Sequence, residues 1–289
     1  MEGNLSAFNP RQTMRGDDIE IYHYFDAHPG DIGLHHHDFY EVYLFLSGRV
    51  EYQIENRSYP LAEDDLLVIS PSELHQPLFQ AKEPYERIVL WIDRRYLQEL
   101  TQSNLLNLKL CFDAARRARN NLIKLPETER KTILPLFDLL LREQQTTDYG
   151  SEAISAAAVT QLLILLGRLS PSPPLTTDQS GARDELVDRV FDYINAHIAE
   201  DLSLQKLQTV FFFDGGTLTR RFRQQLGTTL SQYVRKKRLT IARNLLSEGC
   251  QPGEVYARCG FLDYSGFFRA FRQQYGMSPK TFAETIAEK

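Results

Sequence analysis

At 289 residues, with 42% hydrophobic and 25% charged side chains, the chain is long enough for two domains and too apolar for a disordered or disulfide-held scaffold. Its three cysteines, Cys111, Cys250 and Cys259, are odd in number and form no C-x-x-C pair, which fits structural thiols in a reducing compartment. The net charge of −5 would disfavour nucleic acid if it were evenly spread, but residues 1–183 carry 18 Lys+Arg against 26 Asp+Glu while residues 184–289 carry 15 against 12.

Residues 1–93 read as a barrel of short strands: Ile19 to Phe25, Tyr40 to Ser47, Val50 to Glu55, Leu66 to Ile69 and Arg87 to Ile92 are rich in Val, Ile, Tyr and Phe and are separated by turn residues. Residues 94–169 change character. Leu134, Phe137, Leu140 and Leu141 recur at helical spacing, as do Val159, Leu162, Leu163 and Leu166, so at least two amphipathic helices are expected, capping the barrel or pairing with a second copy. The longest aliphatic run, Leu162 to Leu166, is far short of the roughly 20 residues a membrane span needs, and no leader pattern opens the chain. A cytoplasmic protein with no membrane partner is therefore expected. Residues 170–183 concentrate Pro, Ser, Thr and Gly and form the expected linker. Residues 184–289 read as all helical, which makes the whole chain α+β.

Self-similarity decides the reading of that last segment. Arg220, Phe222, Arg223, Gln224, Gln225 and Gly227 recur 49 residues later as Arg269, Phe271, Arg272, Gln273, Gln274 and Gly276. Each copy has a short helix (Leu204 to Phe211; Gly253 to Cys259), a turn, a second helix (Thr217 to Leu226; Ser265 to Tyr275) and a stopping glycine, which is a helix-turn-helix written twice. Between them, Thr229 and Gln232 form a capping box at the head of a helix that ends at Gly249. Its 18 or so residues give about 27 Å of rigid spacer, enough to set two second helices about one DNA turn (~34 Å) apart. From Arg220 to Arg243 there are eight basic residues and no acidic one. Ser278 and Pro279 open a closing helix.

These residues resemble the DNA-binding domain of the AraC/XylS family of bacterial regulators, from about Leu186 to Ala283, with Leu218, Phe222, Gly227, Arg238, Ala242, Gly260, Phe261, Phe267 and Pro279 among the landmarks. The resemblance implies base contacts from Gly216, Thr219 and Arg220 in the first unit and from Tyr264, Ser265, Gly266 and Arg269 in the second. Arginine can fork onto guanine O6 and N7, whereas glycine offers only backbone, so specificity should rest on Arg220 and Arg269. Arg223, Lys236, Lys237, Arg238 and Arg272 are candidates for phosphate contacts, with Arg238 the foremost candidate for a structural role instead. Gln208 and Tyr256 stand where the family usually has alanine, and Phe212 replaces a small turn residue, so a wider or tilted helix crossing is expected. Phe211, Phe212 and Phe213 read as core.

Upstream, His35, His37 and Glu41, followed by Gly48, resemble the first cupin motif, and the segment Asp64 to Pro71 followed by His75 resembles the second, without its usual glycine. AraC-type regulators carry such a barrel before the DNA domain, and the resemblance implies dimerisation through residues 94–169. His35 and His37, two apart on a strand, should point inward, and His36 should be solvated. With Glu41 and His75 they make a cluster suited to zinc, iron or manganese, or, with no cofactor at all, to hydrogen-bonding an organic effector. Tyr22, Tyr24 and Tyr43 alternate so as to line a cavity fit for a sugar or similar effector, and Trp91 reads as core. The expected function is that of a sequence-specific, effector-controlled activator, a homodimer on double-stranded DNA with RNA polymerase as a further partner. A metal-dependent cupin enzyme and an interaction protein with weakened DNA binding remain alternatives.

Overall fold

The computed structural model describes residues 14–16, 18–30, 32–71, 73–79, 83–170, 185–247 and 249–287. Contacts divide the chain into two units, Met1–Gln179 and Ser180–Lys289. The expected linker, apart from Ser170, lies outside the described residues.

In the first unit β1 (Ile19–Asp26), β2 (Tyr40–Ser47), β3 (Val50–Ile54), β4 (Arg57–Pro60), β5 (Leu66–Ile69), β6 (His75–Phe79), β7 (Tyr85–Ile92) and β8 (Leu122–Ile123) form two antiparallel sheets, ordered β1-β7-β2-β5-β8 and β4-β3-β6. Strand β2 explains how the larger sheet buries both faces. Side chains alternate at period two, so Tyr43 and Phe45 enter the space between the sheets, where they meet Tyr52, Tyr59 and Tyr85. Val42 and Leu44 point the other way, into a second core shared with helices. The edge strand β1 is blunted by Gln144, whose side-chain amide accepts from Ile21 N (2.6 Å) and donates to Ile21 O (2.8 Å), standing in for a neighbouring strand.

Four helices cover that second core: α1 (Arg94–Asn104), α2 (Leu110–Ala118), α3 (Glu127–Glu143) and α4 (Ser151–Leu169). The expected stripe Val159, Leu162, Leu163 and Leu166 is fully buried, at roughly 1.5–3 kcal/mol per side chain. Helix α4 is longer than its aliphatic run suggested. At 19 residues, with a mean hydropathy of 1.4, it is long and apolar enough to cross a membrane by length and composition alone; one stripe of it packs into the core, and 28% of its apolar stretch is buried.

The second unit is helical: α5 (Glu185–Ala196), α6 (Leu204–Phe211), α7 (Gly215–Leu226), α8 (Leu230–Ser247), α9 (Pro252–Arg258), α10 (Tyr264–Tyr275) and α11 (Pro279–Ala287). The capping box closes as expected, Thr229 N donating to Gln232 Oε1 (3.2 Å) and Gln232 N to Thr229 Oγ1 (3.3 Å). Helix α8 serves two cores. Tyr233 near its start meets Phe191 of α5 and Phe222 of α7, while Leu239, Ala242 and Leu246 join Val255, Phe267 and Phe271 further on. A rigid rod with one end in each helix-turn-helix fixes the two relative to each other.

Candidate functional site

Helices α7 and α10 align position for position in length and in their ends. Each has 12 residues, each starts on an aspartate (Asp214, Asp263) whose carboxylate accepts a backbone N–H three residues on, and each ends on a left-handed glycine (Gly227, φ 65°; Gly276, φ 75°). Asp214 takes Thr217 N at 3.0 Å and Asp263 takes Gly266 N at 2.7 Å, satisfying donors that would otherwise be orphaned at the helix start. With ends fixed in this way, Arg220 and Arg269 occupy the same helical position, both exposed, and neither forms an ion pair among the described residues. Arg223, Arg272, Gly216, Tyr264 and Ser265 are also exposed, while Thr219, Gly266 and Lys237 are half-buried.

Two members of the basic run are structural. Arg238 donates through Nε to Ile198 O (2.9 Å) and through Nη2 to Glu200 O (2.6 Å), tying the loop after α5 to α8, and burial pulls its pKa down. Arg243 is buried, with its guanidinium over the rings of Tyr275 and Phe282. The same Ile198 loop receives Gly260: at φ +81° it lies so close that a Cβ there would stand 2.7 Å from Ile198 O.

Two expectations for this unit need correction. Gln208 does not have to force the crossing apart, because Gly215 leaves the space it uses; a Cβ at Gly215 would stand 2.7 Å from Gln208 Nε2. In the second unit Tyr256 is half-buried and meets Tyr264 edge-on at 6.0 Å. Of the three phenylalanines only Phe211 is core. Phe212 is 91% exposed, because α6 ends on it in the left-handed region (φ 56°) and its side chain is turned outward, and Phe213 is 38% exposed.

Between the sheets of the first unit, Tyr24 and Tyr43 are buried and Tyr22 packs beside them, stacked on Tyr24 at 5.5 Å. Tyr43 and Tyr85 share a hydroxyl–hydroxyl hydrogen bond, and Arg87 lies over the rings of Tyr24 and Tyr85 while pairing with Asp26 at 2.5 Å. Burial raises the Tyr43 and Tyr52 hydroxyls well above the usual tyrosine range and that of Tyr85 to about 12, so all three are neutral donors. Tyr52, Tyr85 and Arg87 were not singled out from sequence, although an arginine among the apolar residues of β7 was the signal available.

Further along the same interior lie His37, Glu41 and His75, all buried, with one potential ligand atom from each within 4.8 Å of the others. His37 Nε2 is 3.2 Å from Glu41 Oε2, which also accepts from Trp91 Nε1 at 2.7 Å, so Trp91 is core and also holds the Glu41 carboxylate. His75 is fully buried, and its pKa is lowered well below the usual histidine range, first by desolvation and then by His35 and His37. The loop geometry corrects the expected alternation. His35 to His37 precede β2 rather than lying on a strand. His35 joins His75 through a two-bond backbone bridge and keeps part of its surface exposed, whereas His36 is buried rather than solvated.

A two-sheet sensor unit and a duplicated helix-turn-helix with exposed arginines in equivalent places together define a DNA-binding regulator carrying a ligand-binding domain. Residues 19–163 match the family of AraC-like ligand binding domains and residues 209–285 match a helix-turn-helix domain family. The chain belongs to the AraC family of transcriptional regulators. It is 26% identical to the HTH-type transcriptional activator RhaR of Pectobacterium atrosepticum, over 90% of this chain and 89% of that one. It is 30% identical to the HTH-type transcriptional activator RhaS of Enterobacter sp. (strain 638), over 48% and 49%. Among solved structures, ToxT from Vibrio cholerae aligns over 92% of this chain and 98% of its own, at 11% identity and a TM-score of 0.38.

Proposed function

We propose that the chain is an effector-controlled activator of transcription that reads DNA with α7 and α10. Arg220 and Arg269 select bases, Gly216, Thr219, Tyr264, Ser265 and Gly266 complete the reading surfaces, and Arg223, Lys237 and Arg272 hold phosphates. The observation that carries this reading is the coincidence of two equal helices, capped alike, with an exposed arginine at the same position in each. Activation is supported by the similarity to the activators RhaR and RhaS, and RNA polymerase is the partner an activator would meet at a promoter.

The effector enters the tyrosine-lined interior of the first unit, where Tyr22, Tyr24 and Tyr43 offer flat amphipathic faces suited to a sugar or other polyhydroxy compound. Homodimerisation through residues 94–169 is supported by apolar side chains left in water there: Leu105 is 95% exposed, and Leu110 and Ile154 are more than 40% exposed. Residues 1–93, 94–169, 170–183 and 184–289 then act as sensor, dimerisation segment, linker and DNA reader, in the cytoplasm.

Selection of bound duplexes from a random pool tests the reading. One enriched motif is expected, with Arg220→Ala and Arg269→Ala each relaxing base choice by about 1–3 kcal/mol at one position while Arg223→Ala weakens all sequences alike. With about six phosphates neutralised, log K should fall against log salt with a slope near −5. A pool that enriches nothing refutes it.

A further inference from the structure

The interior histidine cluster contains one buried ring nitrogen, Nε2 of His75, that no described group meets. His75 directs Nδ1 to the carbonyl of Glu73 at 2.8 Å, so the proton sits on Nδ1 and Nε2 carries a lone pair. That Nε2 is buried and has no hydrogen-bond partner among the described residues, an arrangement that is unfavourable if nothing fills it. His37 faces acceptors on both sides, with Nδ1 3.0 Å from Phe39 O and Nε2 3.2 Å from the Glu41 carboxylate. A neutral imidazole has one proton and can serve only one of them. In both rings the backbone carbonyl claims Nδ1, which is how an outer partner orients a metal-ligating histidine and fixes its tautomer. Trp91 Nε1 does the corresponding work for Glu41, holding the carboxylate oxygen by a 2.7 Å hydrogen bond.

We propose that His37 Nε2, Glu41 Oε2 and His75 Nε2 bind a divalent transition-metal ion in the sensor interior. Two imidazoles and one carboxylate suit zinc or iron(II), and three protein ligands leave coordination positions open. A cation at this point supplies a partner for the His75 lone pair and a positive centre between the His37 ring and the Glu41 carboxylate. His35 is not a ligand. It packs edge-on against the His75 ring at 4.3 Å and bridges to it through the backbone, and it falls outside the trio whose ligand atoms converge. The four-residue cluster expected from sequence thus narrows to three.

The full chain, stripped with a chelator and dialysed, is titrated with cobalt(II) and then with zinc(II). Cobalt is expected to produce ligand-field absorption at one equivalent and to quench the emission of Trp91, the only tryptophan, which is one hydrogen bond from Glu41. Zinc should reverse both signals by displacement. Glu41→Gln, which keeps the shape and an acceptor for Trp91, should weaken cobalt binding at least tenfold, as should His75→Ala, whereas His35→Ala should stay within about threefold of the wild type. Circular dichroism on each variant separates lost binding from lost folding. Absence of saturable quenching in the wild-type chain overturns the proposal, and so does unchanged affinity in a folded Glu41→Gln variant. Effector and DNA binding are read separately, so a negative metal titration leaves the regulator reading standing.

Discussion

The loop at Ile198 to Glu200 is where the structure makes its most quantitative claim about how the DNA-reading unit is held together. Replacing Gly260 with alanine places a Cβ 2.7 Å from Ile198 O and 2.9 Å from both Ala199 C and Ala199 Cα, at a backbone φ of +81°. The conformation alone costs about 1–2 kcal/mol for an L-residue. The overlap adds about 1–3 kcal/mol, because every atom met is main chain and cannot swing aside. Those main-chain atoms are also anchored by Arg238, so the loop resists displacement. The total of about 2–5 kcal/mol should lower the melting temperature of a unit of roughly 100 residues by about 10–30 °C. Gly276→Ala is the control: its φ is +75° and nothing lies within 4 Å of the new Cβ, so only the conformational cost of about 1–2 kcal/mol applies. Helical circular dichroism follows the melt in the full chain, while emission from Trp91 reports the other unit. Equal destabilisation by the two substitutions would show that the close approach to the loop contributes nothing, and the account of the seam would fail.

Phe212→Gly should raise the stability of the same unit by about 1 kcal/mol, because it relieves a left-handed residue whose side chain is 91% exposed and packs little; urea denaturation followed by circular dichroism checks the sign. Burial pushes the thiols of Cys111 and Cys259 up to about 12, far above neutral pH, so almost no thiolate exists there to attack an electrophile. A disulfide reagent at pH 7 should therefore modify at most Cys250 in the native chain and all three cysteines in denaturant, and rapid native labelling of two or more would contradict the burial.

Local chemistry made the reader legible before any coordinates. A repeat at an interval of 49 residues carries its own confirmation, and the capping box, the stopping glycines and the start of α11 all depend on residues a few positions apart. What escaped depended on distant partners. Strand β6 contains Pro77, which sequence rules count against a strand, yet it pairs with Tyr52 across the smaller sheet. Strand β8 is two residues long and is recognisable only by its pairing with Leu66 and Leu67. Gly260 meets a loop about 60 positions earlier, so its task could not be read from neighbours, and although Arg238 was the foremost candidate for a structural role, its partners in that loop could not be named. The histidine cluster lies between these cases. The residue types and spacing were visible, but which three converge is settled by the register that sets His75 opposite Ile54 and by the backbone bridge to His35.

The two readers are equal in frame and unequal in what they present. At its start α7 offers Gly215 and Gly216, and Gly215 is buried where it makes room for Gln208, so in the proposed reading that helix brings only backbone and the half-buried Thr219 to bases before Arg220. The start of α10 offers Tyr264 and Ser265, both exposed, with the Tyr264 ring steadied by Tyr256 and Phe267. Side-chain hydroxyls discriminate by hydrogen bonding at base edges, whereas a glycine backbone approaches phosphate or sugar and carries little sequence information. A selected motif should therefore be lopsided, with a guanine read by arginine in each half and additional preference concentrated in the half bound by α10. Ser265→Ala and Tyr264→Phe should flatten that extra preference and leave the other half untouched, and Gly216→Ala should change overall affinity more than base choice. Sequencing the selected pools for the wild type and these variants decides the matter: a motif with equal information in both halves, or richer in the half that Arg220 reads, would mean that the helix starts do not set specificity.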